Sequence, residues 1–401
     1  MQWTLSCQLK TTNMSKVIVI GIGGRGITAI DHMISSGLSK VEFLAIDTER
    51  ASVDRSLAPV RLFIGTSDTS GGPSVSEVSF FLGQREPEIR RALEEATLVF
   101  VVTCLGGRTS TAAAPLVASI AQSIGALTVA VVSVPFASEG EQLARQALHG
   151  LRALKESDCA TVIIGPPNYL RPRNFSSVAA VEYEALFFRM KRCVQALSDV
   201  TSVYGPFNLS VEDLGDVFSG ICFMGMGTGK SHTGGRRVPL EAEKEAIGEL
   251  IFQGGKLDEA RSVFAGFGIT KNMGINEIQT AVSFLRQRLL STTNLVFGAV
   301  ENADDTDEFR ITLIASGFEL DKFEQRFLAA LTAGNKSIGE SKSDEDKPEI
   351  FVVWDPEVVA TEDYASLIES IGDLVRLEGG VGVKRIRNIE IEMPVSEELL
   401  V

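Results

Sequence analysis

From Lys16 onward the apolar residues fall into short dense runs separated by longer mixed stretches. KVIVIGI (16–22), VEFLAID (41–47), VRLFIG (60–65), LVFVVTC (98–104), ALTVAVVSVPF (126–136) and CATVIIGPP (159–167) are β-branched and almost wholly apolar. Strands buried on both faces read this way. Between them lie helical patterns: ITAIDHMISSG (27–37), EPEIRRALEEAT (86–97), APLVASIAQSIG (114–125) and EGEQLARQALHGLRALKES (139–157). Strand and helix in alternation predict an α/β fold with a parallel sheet covered on both faces. Ligands of such sheets bind beyond the carboxyl ends of the strands. The loops after Ile20, Ala45, Val102, Val132 and Ile164 are therefore expected at one rim.

A long amphipathic helix is predicted over about 181–204, with Leu186, Met190, Val194 and Leu197 on its apolar face. A second, more antiparallel section follows. It has strand patterns at 220–229, 262–269, 293–301 and 308–318, and helices at 239–253 and 275–290. The stretch SIGESKSDEDKPE (337–349) is charged and without apolar period, as a linker is. Beyond it IFVVWDPE and TEDYASLIESIGDLVRLEGG predict a strand and a helix of a small further unit.

Composition narrows the partners. With 52 acidic against 38 basic residues the net charge is -14, which argues against nucleic acid, whose phosphates need clustered cations. No run approaches the roughly 18 apolar residues of a membrane span, so direct membrane insertion is not expected. Five scattered cysteines and three histidines show no metal-ligand spacing, so no metal site is read from them. Free thiols and the absence of a signal-like N-terminus point to a cytoplasmic protein.

Two loops at the expected rim carry the chemistry. In GIGGRGIT (21–28), glycines between strand and helix let backbone N–H groups approach a diphosphate. A tight turn alone would also use glycine. In GGRTSTAAAP (106–115), Gly106 and Gly107 offer backbone donors and Thr109, Ser110 and Thr111 offer hydroxyls. Arg108 either meets a terminal phosphate or points to solvent. GMGTGKS (225–231) imitates a P-loop, but Met224 stands where the first glycine belongs, and the segment lies away from the rim. It is read as a strand end and turn.

These segments, with LTVAVVSVPFASEG, NLSVEDL and TNLVFGAVENADDTDEFRITLIASGF following in order, resemble the bacterial division protein FtsZ of the tubulin/FtsZ superfamily, from about Lys16 to Phe318. The resemblance implies a parallel-sheet nucleotide-binding domain, a central helix, a second α+β domain and GTP-dependent longitudinal filaments of the protein with itself. It implies GTP or GDP as ligand, and admits Mg2+. The boundaries it suggests are an N-terminal extension at 1–15, a GTP-binding domain at 16–180 and the central helix at 181–206. A second domain at 207–325, a linker at 326–347 and a C-terminal unit at 348–401 complete the chain.

Carried over by position, Gly21, Gly23, Gly24 and Gly26 match glycines of the first phosphate loop, with Arg25 and Ile27 in place of two others. Asp47 stands where the family has an asparagine. Gly106, Gly107, Thr109 and Thr111 match the second loop, with Arg108, Ser110 and Ala112 at further glycines. Glu139 matches a ribose-contacting glutamate, Asn168 a base-contacting asparagine, and Phe188 falls at the position of a guanine-binding aspartate. The family's acidic loop, which positions the attacking water from the neighbouring subunit, becomes Asn208, Ser210 and Asp213, with one carboxylate replaced by a hydroxyl. Slow GTP hydrolysis in trans is the expectation. The alternative is a non-catalytic scaffold of the same shape, acting through its C-terminal unit on a protein partner. A dinucleotide oxidoreductase, with Asp47 as the ribose acid, leaves the second loop without a role.

Overall fold

The computed structural model describes residues 15–65, 73–136, 139–165, 175–230, 237–270, 273, 275–302 and 308–339. Side chains at 175–182, 230, 237 and 330–339 are outside this description. The chain divides after Val353, and the described residues all belong to the first unit. The N-terminal extension, Asn168 and the expected C-terminal unit lie outside the described residues.

In chain order the first elements are β1 (Val17–Ile22), α1 (Gly23–Ser35), β2 (Glu42–Asp47), α2 (Arg50–Arg55), β3 (Val60–Phe63), α3 (Val75–Gln84) and α4 (Glu86–Ala92). Next are β4 (Leu98–Cys104), α5 (Arg108–Ser123), β5 (Leu127–Ser133), α6 (Glu141–Glu156), β6 (Ala160–Ile163) and the long helix α7 (Phe175–Ser202). The remainder comprises α8 (Val211–Gly215), β7 (Ile221–Lys230), α9 (Arg237–Phe252), β8 (Ser262–Ile269), α10 (Ile275–Arg288), β9 (Asn294–Glu301), β10 (Glu308–Phe318) and α11 (Leu320–Gly339).

The strands form one sheet in the order β3-β2-β1-β4-β5-β6-β7-β10-β8-β9. Every pair from β3 to β7 is parallel. β10 runs antiparallel to both β7 and β8, while β8 and β9 are parallel. The expected α/β architecture is present, and the second section is mixed rather than simply antiparallel. Side chains alternate across the sheet. Ile18, Ile20 and Ile22 of β1 face one core with α5 and α6, and Val17 and Val19 face the other with α1 and α7.

The apolar face read from α7 is the one it buries: Leu186, Met190, Val194 and Leu197 all lie in the second core, with Phe264 and Ile314 from β8 and β10. This helix therefore spans both halves of the sheet. Helix α11 continues to Gly339, into the stretch expected to be linker. Its Phe323 and Phe327 pack in the first core, and Glu324 accepts two hydrogen bonds from Arg152 of α6.

β7 explains the P-loop imitation. Gly225, Gly227 and Gly229 are spaced by two and share one face, and α9 lies against that face. A Cβ at any of the three would overlap a backbone carbonyl of α9, that of Ala246, Ala242 or Val238 respectively. These glycines admit a helix backbone.

Candidate functional site

Strands β1 and β4 are neighbours; β1 runs directly into α1, and β4 leads into α5 through Leu105, Gly106 and Gly107. α1 begins at Gly23 and α5 at Arg108, so two helix N-termini converge on the rim. They approach closely: a Cβ on Gly23 would stand 3.6 Å from the Ser110 backbone nitrogen. Neither helix has a side-chain cap, since Ile22 and Gly107 occupy the N-cap positions. By contrast, α3 and α8 each carry a full capping box. Uncapped N-termini of helices this long present unpaired N–H groups and the positive end of the dipole, a setting that favours an anion.

The loop glycines separate into two kinds. Gly21, Gly26 and Gly106 are required by packing: a Cβ would come within 2.8 Å of the Gly26 carbonyl, 2.7 Å of the Val102 carbonyl and 2.8 Å of the Pro135 ring. Gly106 is also held at φ +106. Gly23 takes φ +73, which other residues rarely adopt. Gly24 is different, because the nearest atom to its Cβ position is Ser52 Oγ at 3.7 Å. No protein contact forbids a side chain there. Its neighbours there are the side chains of Ser52 and Asp47, not a backbone.

Hydroxyls of the second loop are partly committed to the loop itself. Ser110 donates to the Gly107 carbonyl at 3.0 Å, and Thr111 accepts from the Gly106 N–H at 3.2 Å. Both residues are buried. Thr109 shares a 2.6 Å hydrogen bond with Thr48, tying the loop to the one after β2. Arg108 is exposed at the first position of α5. Asp47 lies under Gly24, with Oδ1 accepting from the Thr48 N–H at 2.7 Å. Burial raises its pKa, partly offset by backbone hydrogen bonds from Thr48 and Glu49.

Glu139 is already engaged. Its Oε1 accepts from Arg25 Nη2 and, at 3.0 Å, from the Tyr183 hydroxyl, while Oε2 accepts from the Phe136 N–H at 3.0 Å. The Arg25 guanidinium also lies over the Tyr183 ring, 4.8 Å from its centroid. Burial works against the Arg25 charge, but Tyr183 and Glu139 outweigh it and raise its pKa. Tyr183, which the sequence reading did not single out, is the residue that closes this group. It lies one helical turn before the buried Phe187 on α7, and that spacing was the available signal. Phe188 is half exposed on the same helix.

Asn208, Ser210 and Asp213 lie elsewhere. Asn208 accepts from the Gly205 N–H at 2.9 Å and donates to the carbonyls of Val200 and Val203, closing the end of α7. Ser210 and Asp213 form the capping box of α8: Asp213 Oδ2 accepts from the Ser210 N–H and hydroxyl, both at 2.8 Å. Asp213 Oδ1 takes part in none of these bonds. α8 packs beside Leu127, at the amino end of β5, whereas the glycine loops stand at the carboxyl ends. The seven residues of β5 put the two groups roughly 20 Å apart. Within one chain they do not meet. Among the described residues no group of three or more His, Cys, Asp or Glu side chains is placed to hold a metal ion.

Two convergent helix N-termini over a parallel sheet define a protein of the nucleotide-binding α/β class. Residues 16–168 match the Tubulin/FtsZ family GTPase domain, and residues 220–319 match the FtsZ family C-terminal domain. The chain belongs to the tubulin/FtsZ superfamily as an FtsZ-like protein. It is similar to an FtsZ dimer from M. jannaschii, solved empty, at 25% identity and a TM-score of 0.69, covering 77% of this chain and 89% of that one. CetZ2 from Haloferax volcanii, solved as a GTPγS-bound protofilament, is 17% identical with a TM-score of 0.62, over 80% of this chain and 99% of that one. CetZ from Methanosaeta thermophila is 16% identical with a TM-score of 0.61, over 91% and 99%. The family's GTPase domain implies that GTP or GDP is the nucleotide. No helix among the described residues is long and apolar enough to cross a membrane.

Proposed function

We propose that the protein binds GTP or GDP at the rim formed by α1 and α5, assembles longitudinally with itself, and hydrolyses GTP slowly across the subunit contact. The observation that carries the nucleotide reading is the pair of uncapped helix N-termini on adjacent strands, with Gly24 left bare above Asp47. The residues fit the phosphate end of the ligand: backbone N–H groups of both loops and the Thr109 hydroxyl lie together. A Mg2+ ion would accompany the phosphates and neutralise charge that develops on transfer.

Hydrolysis in trans is supported by where the acidic loop lies. Asn208, Ser210 and Asp213 are at the opposite end of the strands from the glycine loops, so only a second copy stacked end to end brings them to the phosphate. In that arrangement Asp213 Oδ1 orients and polarises the attacking water, and Ser210 supplies a hydroxyl where a second carboxylate would make the reaction faster. One carboxylate instead of two is the reason for a slow rate.

A second reading has its own observation. Asp213 Oδ2 is committed to the capping box, as a purely structural helix-start acid would be, which favours a scaffold without turnover. Phosphate release measured across a wide range of protein concentration separates the two. Specific activity that rises with concentration, and falls in both Asp213→Ala and Asp213→Asn while the melting temperature holds, supports the composite site. Absence of phosphate release at every concentration supports the scaffold.

A further inference from the structure

The geometry assigns to Arg25 a selectivity role that rests on the nucleotide reading above: it withdraws Glu139 from the ligand, so that the site reads the phosphates of a nucleotide and not its ribose hydroxyls. The side chain reaches from the first turn of α1 to two other elements. It is ion-paired with Glu139, from the segment before α6, and it stacks on Tyr183 of α7. One guanidinium thus closes the rim between α1, the β5–α6 connection and α7.

The position is costly for a cation unless something compensates it. Arg25 is the third residue of α1, where the helix dipole is unfavourable to positive charge. Glu139 supplies the compensation, and its own acceptor capacity is used in doing so. A carboxylate has about four lone-pair directions, and here three are filled by Arg25, Tyr183 and the Phe136 N–H. The carboxylate is also the more buried partner, at 16% side-chain exposure against 47% for Arg25. The direction left over is on Oε2; at Oε1 a ribose hydroxyl has to displace Arg25, exchanging an ion-paired donor for an uncharged one, the weaker of the two. Without Arg25 the same carboxylate keeps its Tyr183 and Phe136 bonds and turns a free acceptor toward the rim.

The same geometry allows a contrary role. A guanidinium has five donors, and those not on Glu139 would grip a phosphate. The two roles predict opposite effects of removing it.

The test is nucleotide affinity of the full chain by calorimetry, with GTP and 2′,3′-dideoxy-GTP as probes in the presence of Mg2+. Wild-type protein is expected to bind the two within about threefold of each other. Arg25→Gly and Arg25→Ala are expected to bind GTP about tenfold more tightly and to prefer it over the dideoxy probe by about tenfold, the size of one hydrogen bond to a charged group. Arg25→Lys, which keeps the charge, is expected to stay close to wild type. Circular dichroism and the melting temperature establish that each variant is folded. Weaker GTP binding by Arg25→Gly, or tenfold discrimination already present in the wild type, overturns the assignment while leaving the nucleotide site standing. No GTP binding by either protein overturns both.

Discussion

Glu243 is the least comfortable group among the described residues, and its cost can be worked out. The side chain sits on α9, fully buried, with neither carboxylate oxygen hydrogen-bonded. Burial pushes its pKa up to about 8 from an ordinary 4.5, against a smaller pull from nearby Arg288. The folded protein therefore holds a proton over a pH range in which the unfolded chain has released it. Folding stability must fall as pH rises from about 4.5 and level off above about 8. At 1.36 kcal/mol per pKa unit, the linked loss is about 1 kcal/mol at pH 5.5 and roughly 4–5 kcal/mol at pH 8.5. Glu243→Gln removes the titration and leaves an amide whose own burial cost does not depend on pH. Urea midpoints of wild type and variant should thus diverge by about 3 kcal/mol in favour of the variant between pH 5.5 and pH 8.5. A wild-type-to-variant difference that is the same at both pH values would refute the reasoning, whatever its absolute size.

Three further outcomes follow from the packing and the hydrogen bonds. Gly227→Ala should lower stability by about 2 kcal/mol or more, because its methyl group has to displace the backbone of α9, and the urea midpoint measures it. Asn208→Ala should cost about 1–2 kcal/mol through the lost closure of α7, so its melting temperature must be recorded before any loss of turnover is assigned to chemistry. Cys104, Cys159, Cys193 and Cys222 are buried, and burial raises all four thiols, to about 11 for Cys104 and about 12 for Cys159. A thiol reagent at neutral pH should label none of them in the native protein and all of them after denaturation.

How far the sequence could be read depended on whether a residue's partner was near in the chain. Strands β1, β4 and β5 were legible because burial on both faces leaves an unbroken apolar run, and α7 because its buried face repeats at helical spacing. Helix α3 was not read, since VSEVSFFLGQ leaves Phe80 and Val75 outside and buries only Val78 and Leu82. The end of helix α11 reads as linker because what orders the helix, Arg152 and the core around Phe223, is distant in sequence. The glycines show the limit most clearly. GIGGRG and GMGTGK look alike as strings, yet Gly225, Gly227 and Gly229 serve helix packing, while Gly24 meets only the Ser52 and Asp47 side chains at ordinary contact distance. Only the identity of the neighbouring backbone separates them, and no local pattern encodes it. The pairing of Arg25 with Glu139 and Tyr183 was hidden for the same reason.

The continuous sheet bears on how the proposed function would work. β6 pairs with β7 over Thr161, Val162 and Ile163, so the parallel half and the mixed half share one ladder. α7 is anchored to both, through Met190 and Val194 in the common core and through Arg189, which pairs with Glu249 of α9. The same helix carries Tyr183 at the nucleotide rim near one end and is closed by Asn208 at the other. A change in the contacts of Arg25 with Tyr183 therefore acts on the element whose far end is closed by Asn208, next to Ser210 and Asp213. Such coupling requires α7 to have two positions with different affinities for the ligand. If it has them, Arg25→Gly, which removes the guanidinium stacked on Tyr183 without any ligand, should shift the protein-concentration threshold for assembly measured by light scattering in the absence of nucleotide. An unchanged threshold in a folded variant would show that the two ends of α7 act independently, and assembly would then have to be driven by contacts of the nucleotide itself across the subunit interface.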